Sequence, residues 1–370
     1  MTSPFPAFPV PGARILALTL LTAACLLPAA SQARALGAQG NDFLYQVEPD
    51  DTLEQLARRY TLQAGHWPAL QRLNQVDDPY RLPIGKVLRI PLSLIPEQPA
   101  TAAVIHVSGR VTADGRPVQP GDILRTGQTL RSAEDGSATL QLEDRSLLTL
   151  PSGTSLLLRR LKSFRGTGLT DTQIDIDQGT LESTVAPEDT GVGRFEVRTP
   201  ATVTGVRGTR LRVHADASGS RHEVLHGRAA IEGTDRAERR LVLDRGAAYD
   251  TQGAFLGAHL LLPAPLDLAL SPDGTRLDFT PVPQAAAYTI RVALDAEGTR
   301  LASSQQASGP GVRLAASGNP GPHYIFVRGI DALGIEGRDA VLVVDALRLT
   351  LTTRDGAPVL SAGGTSVMLD

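Results

Sequence analysis

The stretch "RSAEDGSATLQLEDRSLLTLPSGTSLLLRRL", residues 131–161, decides the fold class of this chain. Apolar and polar residues alternate along it, and short turns rich in Gly, Asp and Ser interrupt the alternation about every eight to twelve residues. A period of two with closely spaced turns is typical of antiparallel β-strands, and no helical period competes with it. The pattern extends to both sides of this stretch and predicts strands at residues 104–107, 138–142, 147–150 and 156–158.

The composition agrees with a mostly β, multidomain chain. Aromatic residues make up only 4% of the 370 residues, so Leu, Val, Ile and Ala must build the cores. The 36 Gly and 26 Pro residues suit many turns and short strands. The length allows about two to four domains. The net charge of −3, together with the lack of a long basic run, argues against nucleic-acid binding.

The N-terminal segment has the pattern of an export signal. Arg14 precedes an apolar run at residues 15–30, and the following Ala33-Arg34-Ala35 fits the small-x-small rule for signal peptidase. The run is shorter and more interrupted than the ~20 apolar residues of a membrane-spanning helix. We therefore expect residues 1–35 to be a cleaved signal peptide. Its removal would leave a periplasmic or envelope-associated protein without a stable membrane span.

Two alternatives to cleavage remain. The segment stays in place as an uncleaved anchor, or the chain is a lipoprotein attached through Cys25, because Thr22-Ala23-Ala24-Cys25 loosely resembles a lipobox. Cys25 is also the single cysteine of the chain. If the segment is removed, the mature protein has no disulfide, no cysteine nucleophile and no cysteine metal ligand.

Residues 43–92 have the pattern of a strand, two helices and a second strand. Asp51 or Thr52 can cap the first helix, and Asn74 ends the second. One apolar face of helical spacing is predicted in each helix. The first face consists of Leu53, Leu56, Ala57 and Tyr60, and the second of Trp67, Leu70 and Leu73.

This segment resembles the LysM family of small βααβ modules, which bind glycans that contain N-acetylglucosamine. The resemblance lies in Tyr45-x-Val47, Asp51-Thr52-Leu53, Leu73-Asn74 and Leu82-Pro83-Ile84-Gly85. It implies a groove between the loop before the first helix and the loop after the second. The implied glycan-binding residues are Asp50, Asp51, Thr52, Leu53, Asn74, Val76, Asp77, Leu82, Pro83 and Ile84. The family usually has Gly at the position of Asp50, and Asp51-Thr52 has a plainer reading as a helix cap.

Residues 93–103 are rich in Pro and Ala and are interpreted as a linker to an all-β domain at residues 104–253. That domain resembles the FecR family, most specifically in "FEVRTPATVTGVRGTRLRV", residues 195–213. The best-known FecR protein senses a transport receptor outside the cytoplasm and controls a sigma factor inside it. Here an export signal stands where the cytoplasmic part would be, so the resemblance implies the extracytoplasmic domain alone. Arg207 is interpreted as part of a structural turn, with a phosphate- or carboxylate-binding role as the alternative.

Residues 263–346 resemble a fibronectin-type-III-like β-sandwich. The resemblance lies in Phe279-x-Pro281, Ala287-Tyr288-x-Ile290 and Gly321-x-x-Tyr324-x-Phe326. His323 is expected at a loop or an edge rather than as a metal ligand. The final residues, 347–370, are predicted to form one further hairpin.

His222-Glu223-x-x-His226 has the form of the zinc-protease signature. The motif lies in a predicted hairpin, however, and a zinc site needs both imidazoles on adjacent turns of a helix. Four residues span ~6 Å along a helix but ~13 Å along a strand, which is too far for two Zn–N bonds of ~2 Å. Glu182 and Glu188 are a pair of carboxylates that could act together, but they lie in a loop-like stretch without an evident partner. We therefore predict no metal site, no catalytic residue and no cofactor.

These observations favour a non-enzymatic protein of the bacterial cell envelope. It would bind peptidoglycan, or another N-acetylglucosamine glycan, through LysM and present the FecR-like domain and the sandwich to a protein partner. An extracytoplasmic FecR-type signalling regulator is the first alternative. A cell-wall hydrolase is the second, but it lacks a recognisable nucleophile or metal site.

Overall fold

The computed structural model describes residues 35–186, 192–206, 208–272, 274–314, 321–345, 349–350 and 368–369. The segment up to residue 34, Arg207, Glu188 and most of the predicted C-terminal hairpin lie outside the described residues. Strands dominate the described part, which confirms a mostly β fold with several sheets and a small helical segment. Within that part, no helix is both long and apolar enough to cross a membrane.

The N-terminal module has a three-stranded sheet in the order β1-β2-β3, with two helices between β2 and β3. The strand, helix, helix, strand order is thus confirmed, and β1 is an additional strand that the sequence analysis did not predict. The elements are β1 (Ala35–Gln39), β2 (Asp42–Gln46), α1 (Leu53–Thr61), α2 (Trp67–Asn74) and β3 (Val87–Pro91), with short 3-10 turns at Ala64–His66 and Leu92–Leu94.

Thr52 is the residue that caps α1. Its hydroxyl accepts a hydrogen bond from the Gln55 backbone N–H, and the Gln55 side chain accepts one from the Thr52 N–H, which completes a capping box. The predicted apolar face of α1 is fully buried. The predicted face of α2 is only partly correct, because Leu70 is buried whereas Leu73 is 38% exposed and Trp67 is half-buried. With only eight residues, α2 buries a narrower stripe than the spacing suggests.

Eighteen strands form the central domain as two hydrogen-bonded sheets that enclose one core. Sheet 1 contains β4, β6, β7, β9, β12, β14, β15, β18 and β19, and sheet 2 contains β5, β8, β10, β11, β16, β17, β20 and β21. The remaining strand, β13, belongs to both. In chain order the strands are β4 (Glu97–Pro99), β5 (Thr101–Ser108), β6 (Val111–Ala113), β7 (Arg116–Pro117), β8 (Ile123–Arg125), β9 (Thr129–Ser132), β10 (Ser137–Leu142), β11 (Leu147–Leu150), β12 (Ser155–Phe164), β13 (Thr170–Thr184), β14 (Val192–Arg198), β15 (Val203–Val206), β16 (Arg210–Asp216), β17 (Gly219–His226), β18 (Arg228–Glu232), β19 (Glu238–Val242), β20 (Arg245–Tyr249) and β21 (Phe255–Leu260).

The four predicted strands all fall on observed ones, namely β5, β10, β11 and β12. The structure differs at both ends of the predicted domain. Residues 97–103, interpreted as linker, instead contribute β4 and β5, because β4 pairs with the far end of β12. At the other end β21 pairs with β20, so the sheet continues to Leu260.

Strand β13 passes from sheet 1 to sheet 2 at Gly179. Its first half pairs with β12 and in parallel with β14, and its second half pairs with β11 and β16. Gly179 has φ 94°, a conformation that glycine adopts at no steric cost. A Cβ atom there would lie 2.5 Å from the Cα atom of Thr154. The fold therefore requires glycine at this crossing.

The core between the two sheets is built mainly from aliphatic residues. Leu140, Leu148, Leu156, Ile174 and Leu211 are all fully buried in it. Such burial of apolar surface stabilises the domain at roughly 25 cal/mol per Å². The few aromatic residues of the chain are thus no obstacle to a large core.

The C-terminal region is a sandwich of two sheets. Sheet 3 has the order β22-β23-β26 and sheet 4 the order β25-β24-β27-β28, and residues from both sheets share one core. The strands are β22 (Leu266–Leu270), β23 (Arg276–Thr280), β24 (Ala287–Ala293), β25 (Leu301–Ala307), β26 (Val312–Arg313), β27 (His323–Ile330) and β28 (Ala340–Val344), followed by the short pair β29 (Leu349–Thr350) and β30 (Met368–Leu369).

Candidate glycan-binding site

Two loops of the N-terminal module meet where the sequence predicts a groove. These are loop A, residues 47–52, and loop B, residues 75–86. The Leu53 N–H donates to the Pro79 carbonyl at 3.0 Å, and the Gly85 N–H donates to the Val47 carbonyl at 2.8 Å. Main-chain bonds thus hold the two loops side by side, so that their side chains border one surface.

Asp50 occupies the backbone conformation for which glycine is preferred. Its φ is 68°, in the left-handed region, and its side chain is exposed. Asp tolerates this region better than most residues but pays a steric cost that glycine avoids. The structure therefore gives the physical reason for the glycine that is usual in the family, and it shows that Asp50 follows the same path.

Asp51 lies inside the module rather than on its surface. It is 7% exposed, and its carboxylate accepts hydrogen bonds from the Tyr45 hydroxyl at 2.6 Å and the Glu48 N–H at 2.8 Å. Burial and the hydrogen bond to Asp51 raise the pKa of Tyr45 well above its usual value. Asp51 thus fixes the shape of loop A.

Four further predicted site residues also support the loops from beneath. Leu53, Val76 and Leu82 are buried. The Asn74 amide donates to the Leu70 and Arg89 carbonyls, and its oxygen accepts from the Arg89 N–H at 2.7 Å. Asn74 therefore ties the end of α2 to β3.

The remaining five predicted site residues reach the surface of the module. Asp50, Asp77 and Pro83 are exposed, Thr52 is half-buried, and Ile84 is 70% exposed. The predicted set is thus divided into five surface residues and five that lie beneath the surface or shape it.

Sequence reasoning missed Tyr80, which is 68% exposed in loop B. Its N–H donates to the Asp78 carboxylate at 2.9 Å, which orders the loop at this point. It directly follows Pro79, the residue that contacts Leu53 across the loops. The available signal was an aromatic residue within a polar loop. Tyr80 and Ile84 give the surface apolar area, and Asp50 and Asp77 give it carboxylate acceptors.

The zinc-protease-like motif lies on strand β17, as predicted. His222 is fully buried, and its two ring nitrogens each lie 3.0 Å from a hydroxyl, of Thr202 and Thr204. His226 is exposed at the end of the strand. Burial lowers the pKa of His222 to about 3, so the ring is neutral. In the part of the chain that the structure describes, no cluster of His, Cys, Asp or Glu side chains could hold a metal ion.

Glu223 points to the opposite side of β17, where the central domain meets the sandwich. Its Oε1 atom accepts a hydrogen bond from the Glu336 N–H at 3.1 Å, and its Oε2 atom lies 3.6 Å from Nε of Arg212. Burial and the charge of Glu336 raise the pKa of Glu223 well above its usual value. The motif therefore contributes His222 to the core of the central domain and Glu223 to the contact between that domain and the sandwich.

Glu182 belongs to the same contact, and its predicted loop-like position is wrong. It lies in β13, fully inside the protein, because sheet 2 continues through it. Its carboxylate is 2.7 Å from Nη1 of Arg291 and 2.6 Å from Nη2 of Arg328. Burial alone would raise the pKa of Glu182, but these two guanidinium groups outweigh burial and lower that pKa to about 2. The sequence could not show these partners, which are more than a hundred residues away.

His323 also lies elsewhere than predicted. It starts β27 and is fully buried, rather than at a loop or an open edge. In the sheet it pairs with Val344 of β28.

Comparisons with known proteins give two family matches. Residues 45–91 match the LysM domain model, and residues 128–230 match the model named FecR protein. The chain carries a LysM domain and a FecR domain. Loops A and B both lie within the residues that match the LysM domain model. The FecR match extends from β9 to β18, within the larger pair of sheets that begins at β4 and ends at β21.

Two crystal structures of a candidate anti-sigma factor from Parabacteroides distasonis also resemble part of the chain. They share 14% and 13% identity with it, each with a TM-score of 0.30. Each match covers 36% of this chain and 59% of the other, so the chain spans about three fifths of the length of those structures. No curated protein matches the chain.

Proposed function

We propose that the chain is a non-enzymatic protein of the cell envelope that binds peptidoglycan through its LysM groove. In this proposal residues 1–35 direct export, and the FecR domain and the fibronectin-type-III-like sandwich are presented to a protein partner. The exposed pair Tyr80 and Ile84, at the junction of loops A and B, carries the proposal.

The chemistry of the groove supports a glycan that contains N-acetylglucosamine. The apolar side chains of Tyr80 and Ile84 suit the acetyl methyl group and a sugar face, and Asp50 and Asp77 suit sugar hydroxyls. Each hydrogen bond adds only about 0.5–1.5 kcal/mol in water. One groove therefore binds weakly, and a second contact with the cell wall would strengthen retention.

A non-enzymatic role is supported by the two matched families, which are non-catalytic. It is further supported by the strand that carries His222 and Glu223, since the two side chains face opposite sides. A hydrolase would need them to converge on one metal or one substrate.

Sedimentation with purified sacculi tests the groove. We expect Tyr80→Ala and Ile84→Ala each to weaken retention of the chain by about five- to tenfold, the effect of losing roughly 1–1.4 kcal/mol of apolar contact. Leu62→Ala is the matched control, because Leu62 is also an exposed aliphatic residue of the LysM domain, 48% exposed, at the far end of α1. Equal retention of all three variants and the wild type would place the contact elsewhere.

A second candidate function is an extracytoplasmic signalling regulator, which the FecR match favours. It predicts an envelope protein that co-purifies with this chain after crosslinking and whose deletion changes transcription. Loss of a sigma-factor-dependent response on deletion of the present chain would favour this function over a purely structural role.

A further inference from the structure

A cleft of about 590 Å³ lies between sheet 2 of the FecR domain and sheet 4 of the sandwich. Its volume falls within the range of about 300–1,000 Å³ that is usual for small-molecule sites. One wall comes from β13 and β16 and the other from β24, β25 and β27. The cleft is remote in sequence from the LysM domain and takes no part in the function proposed above.

Bonds between the two domains hold these walls in place. The Ser137 hydroxyl donates to the Leu301 carbonyl at 2.9 Å, and the His106 ring lies 2.9 Å from the same oxygen. Arg212, fully buried in the FecR domain, donates to the Gly337 carbonyl at 2.7 Å. A ligand would therefore enter a preformed cleft, without the entropy cost of ordering its walls.

The lining is polar on both sides. On the FecR wall a chain of bonds joins the Thr180 hydroxyl to Nδ1 of His214 at 2.9 Å, and Nε2 of His214 to Asp216 at 3.1 Å. Gln178 on this wall and Gln306 on the opposite wall are exposed. Neither amide forms a side-chain hydrogen bond within the described residues, so both are available to a ligand.

Buried guanidinium groups form the inner end of the cleft. The side chains of Arg291 and Arg328 are 1% and 2% exposed and line the cleft. Among the described residues, Nη1 of Arg328 has no hydrogen-bond acceptor. Buried donors are nearly always satisfied, so this group points to an acceptor supplied by a ligand or by water.

The charges around this inner end balance. Arg212, Arg291 and Arg328 face the carboxylates of Glu182, Glu336 and Asp339. Glu223 lies beside this cluster, and burial and the charge of Glu336 raise its pKa, which favours the neutral form of its carboxyl group. An anionic ligand would meet carboxylates, and an apolar one would leave the polar walls unsatisfied. A neutral ligand rich in hydroxyls offers both donors and acceptors.

We propose that this cleft binds a neutral saccharide and is a second glycan site, independent of the LysM groove. Gln178 and Gln306 hold the sugar from opposite walls, and hydroxyl oxygens of the sugar accept from the buried guanidinium at the inner end. Two sites on one chain would also raise the overall strength of attachment to a polymeric glycan.

Titration calorimetry with a soluble tetramer of N-acetylglucosamine tests the proposal on the chain from residue 36 onward. The LysM groove is disabled by the double variant Tyr80→Ala/Ile84→Ala, so that any remaining heat reports other sites. In this background we expect binding to persist, and to become about tenfold weaker when Gln178→Ala and Gln306→Ala are added. Gln141→Ala, an exposed amide on β10 outside the cleft, is the matched control and leaves binding unchanged.

The outcomes separate this proposal from the groove. Loss of all binding in the Tyr80→Ala/Ile84→Ala variant would overturn the cleft site and uphold the groove. Residual binding whose affinity is unchanged by Gln178→Ala/Gln306→Ala would overturn it as well, because the sugar then lies elsewhere. Binding that Gln178→Ala/Gln306→Ala weakens about tenfold and Tyr80→Ala/Ile84→Ala does not affect would uphold the cleft and contradict the groove. No binding by the wild type would overturn both.

Discussion

At the scale of single residues, Asp50 shows how a family preference arises from backbone geometry. The position requires φ 68°, and glycine meets this requirement without steric cost. Main-chain hydrogen bonds hold the loops on both sides of Asp50. The loop therefore sets the backbone conformation at this position, whichever residue occupies it.

Asp50→Gly should therefore stabilise the LysM domain by about 1 kcal/mol, because it removes the cost of a left-handed non-glycine residue. Thermal unfolding of the chain, followed in the LysM domain by the fluorescence of Trp67, measures the change. Asp50→Ala is the control, since it removes the carboxylate but keeps the Cβ atom. A gain as large for Ala as for Gly would show that the charge, and not the backbone, sets the cost.

Glu223 permits a prediction about pH. Its pKa is raised in the folded state above the unfolded value of 4.5. The folded state therefore retains a proton that the unfolded state has lost. Stability falls as the pH rises from 4.5 toward the folded pKa, by about 1.4 kcal/mol for each pH unit in that window.

Glu223→Gln keeps the neutral form at every pH and should remove this dependence. We expect the variant to match the wild type near pH 4 and to be more stable than the wild type at pH 6 and pH 8. Urea unfolding at the three pH values measures the difference in unfolding free energy between the variant and the wild type. The contributions of the other titrating groups are the same in both proteins and cancel in this difference. A difference that stays constant with pH would mean that Glu223 is ionised in the folded protein.

At the scale of elements, the crossing of β13 between the two sheets depends on Gly179. The strand can serve both sheets only because the backbone turns at φ 94°, against the Cα atom of Thr154. Both the conformation and the close contact exclude a side chain.

Gly179→Ala should destabilise the FecR domain by more than about 2 kcal/mol, through the strained backbone and the forced separation from Thr154. Gly205→Ala is the matched control on β15, because no atom lies within 4 Å of the added Cβ there. The midpoint of denaturant unfolding measures both. Equal midpoints for the two variants would contradict the account of the crossing.

The sequence predicts these elements well where the signal is local. The period of two predicts β5 and β10–β12, and the sequence narrows the cap of α1 to Asp51 or Thr52, of which the structure shows Thr52. The sequence fails where distant residues decide the structure. Residues 97–103 have the composition of a linker, but they form β4 and the start of β5, which pair with β12 and β10. In the candidate site the sequence indicates the two loops that the structure brings together but not Tyr80, because the exposure of a side chain depends on how loop B folds against loop A.

At the scale of the whole molecule, buried ion pairs join the FecR domain to the sandwich. Arg328 and Glu182 are 146 residues apart in sequence and 2.6 Å apart in space. Loss of Arg328 would leave Glu182 with Arg291 alone and the buried cluster with one uncompensated carboxylate charge, and an uncompensated buried charge costs about 3–5 kcal/mol. No local pattern could have revealed this contact.

Arg328→Met should therefore weaken the docking of the sandwich and leave the LysM domain intact. We expect faster proteolysis at residues 261–265, between β21 and β22, and unchanged retention on sacculi. Limited proteolysis with mass spectrometry measures the first effect. Arg313→Met, an exposed arginine of the sandwich on β26, is the control. Equal cleavage rates in both variants would show that the ion pairs do not hold the domains together.

The most direct test of the central claim is to incubate the chain with purified sacculi, sediment them, and analyse both fractions. The account predicts that the wild-type protein is found in the pellet, that Tyr80→Ala/Ile84→Ala remains largely in the supernatant, and that no muropeptides are released by either. Wild-type protein that stays in the supernatant, or muropeptides that accumulate there, would contradict it.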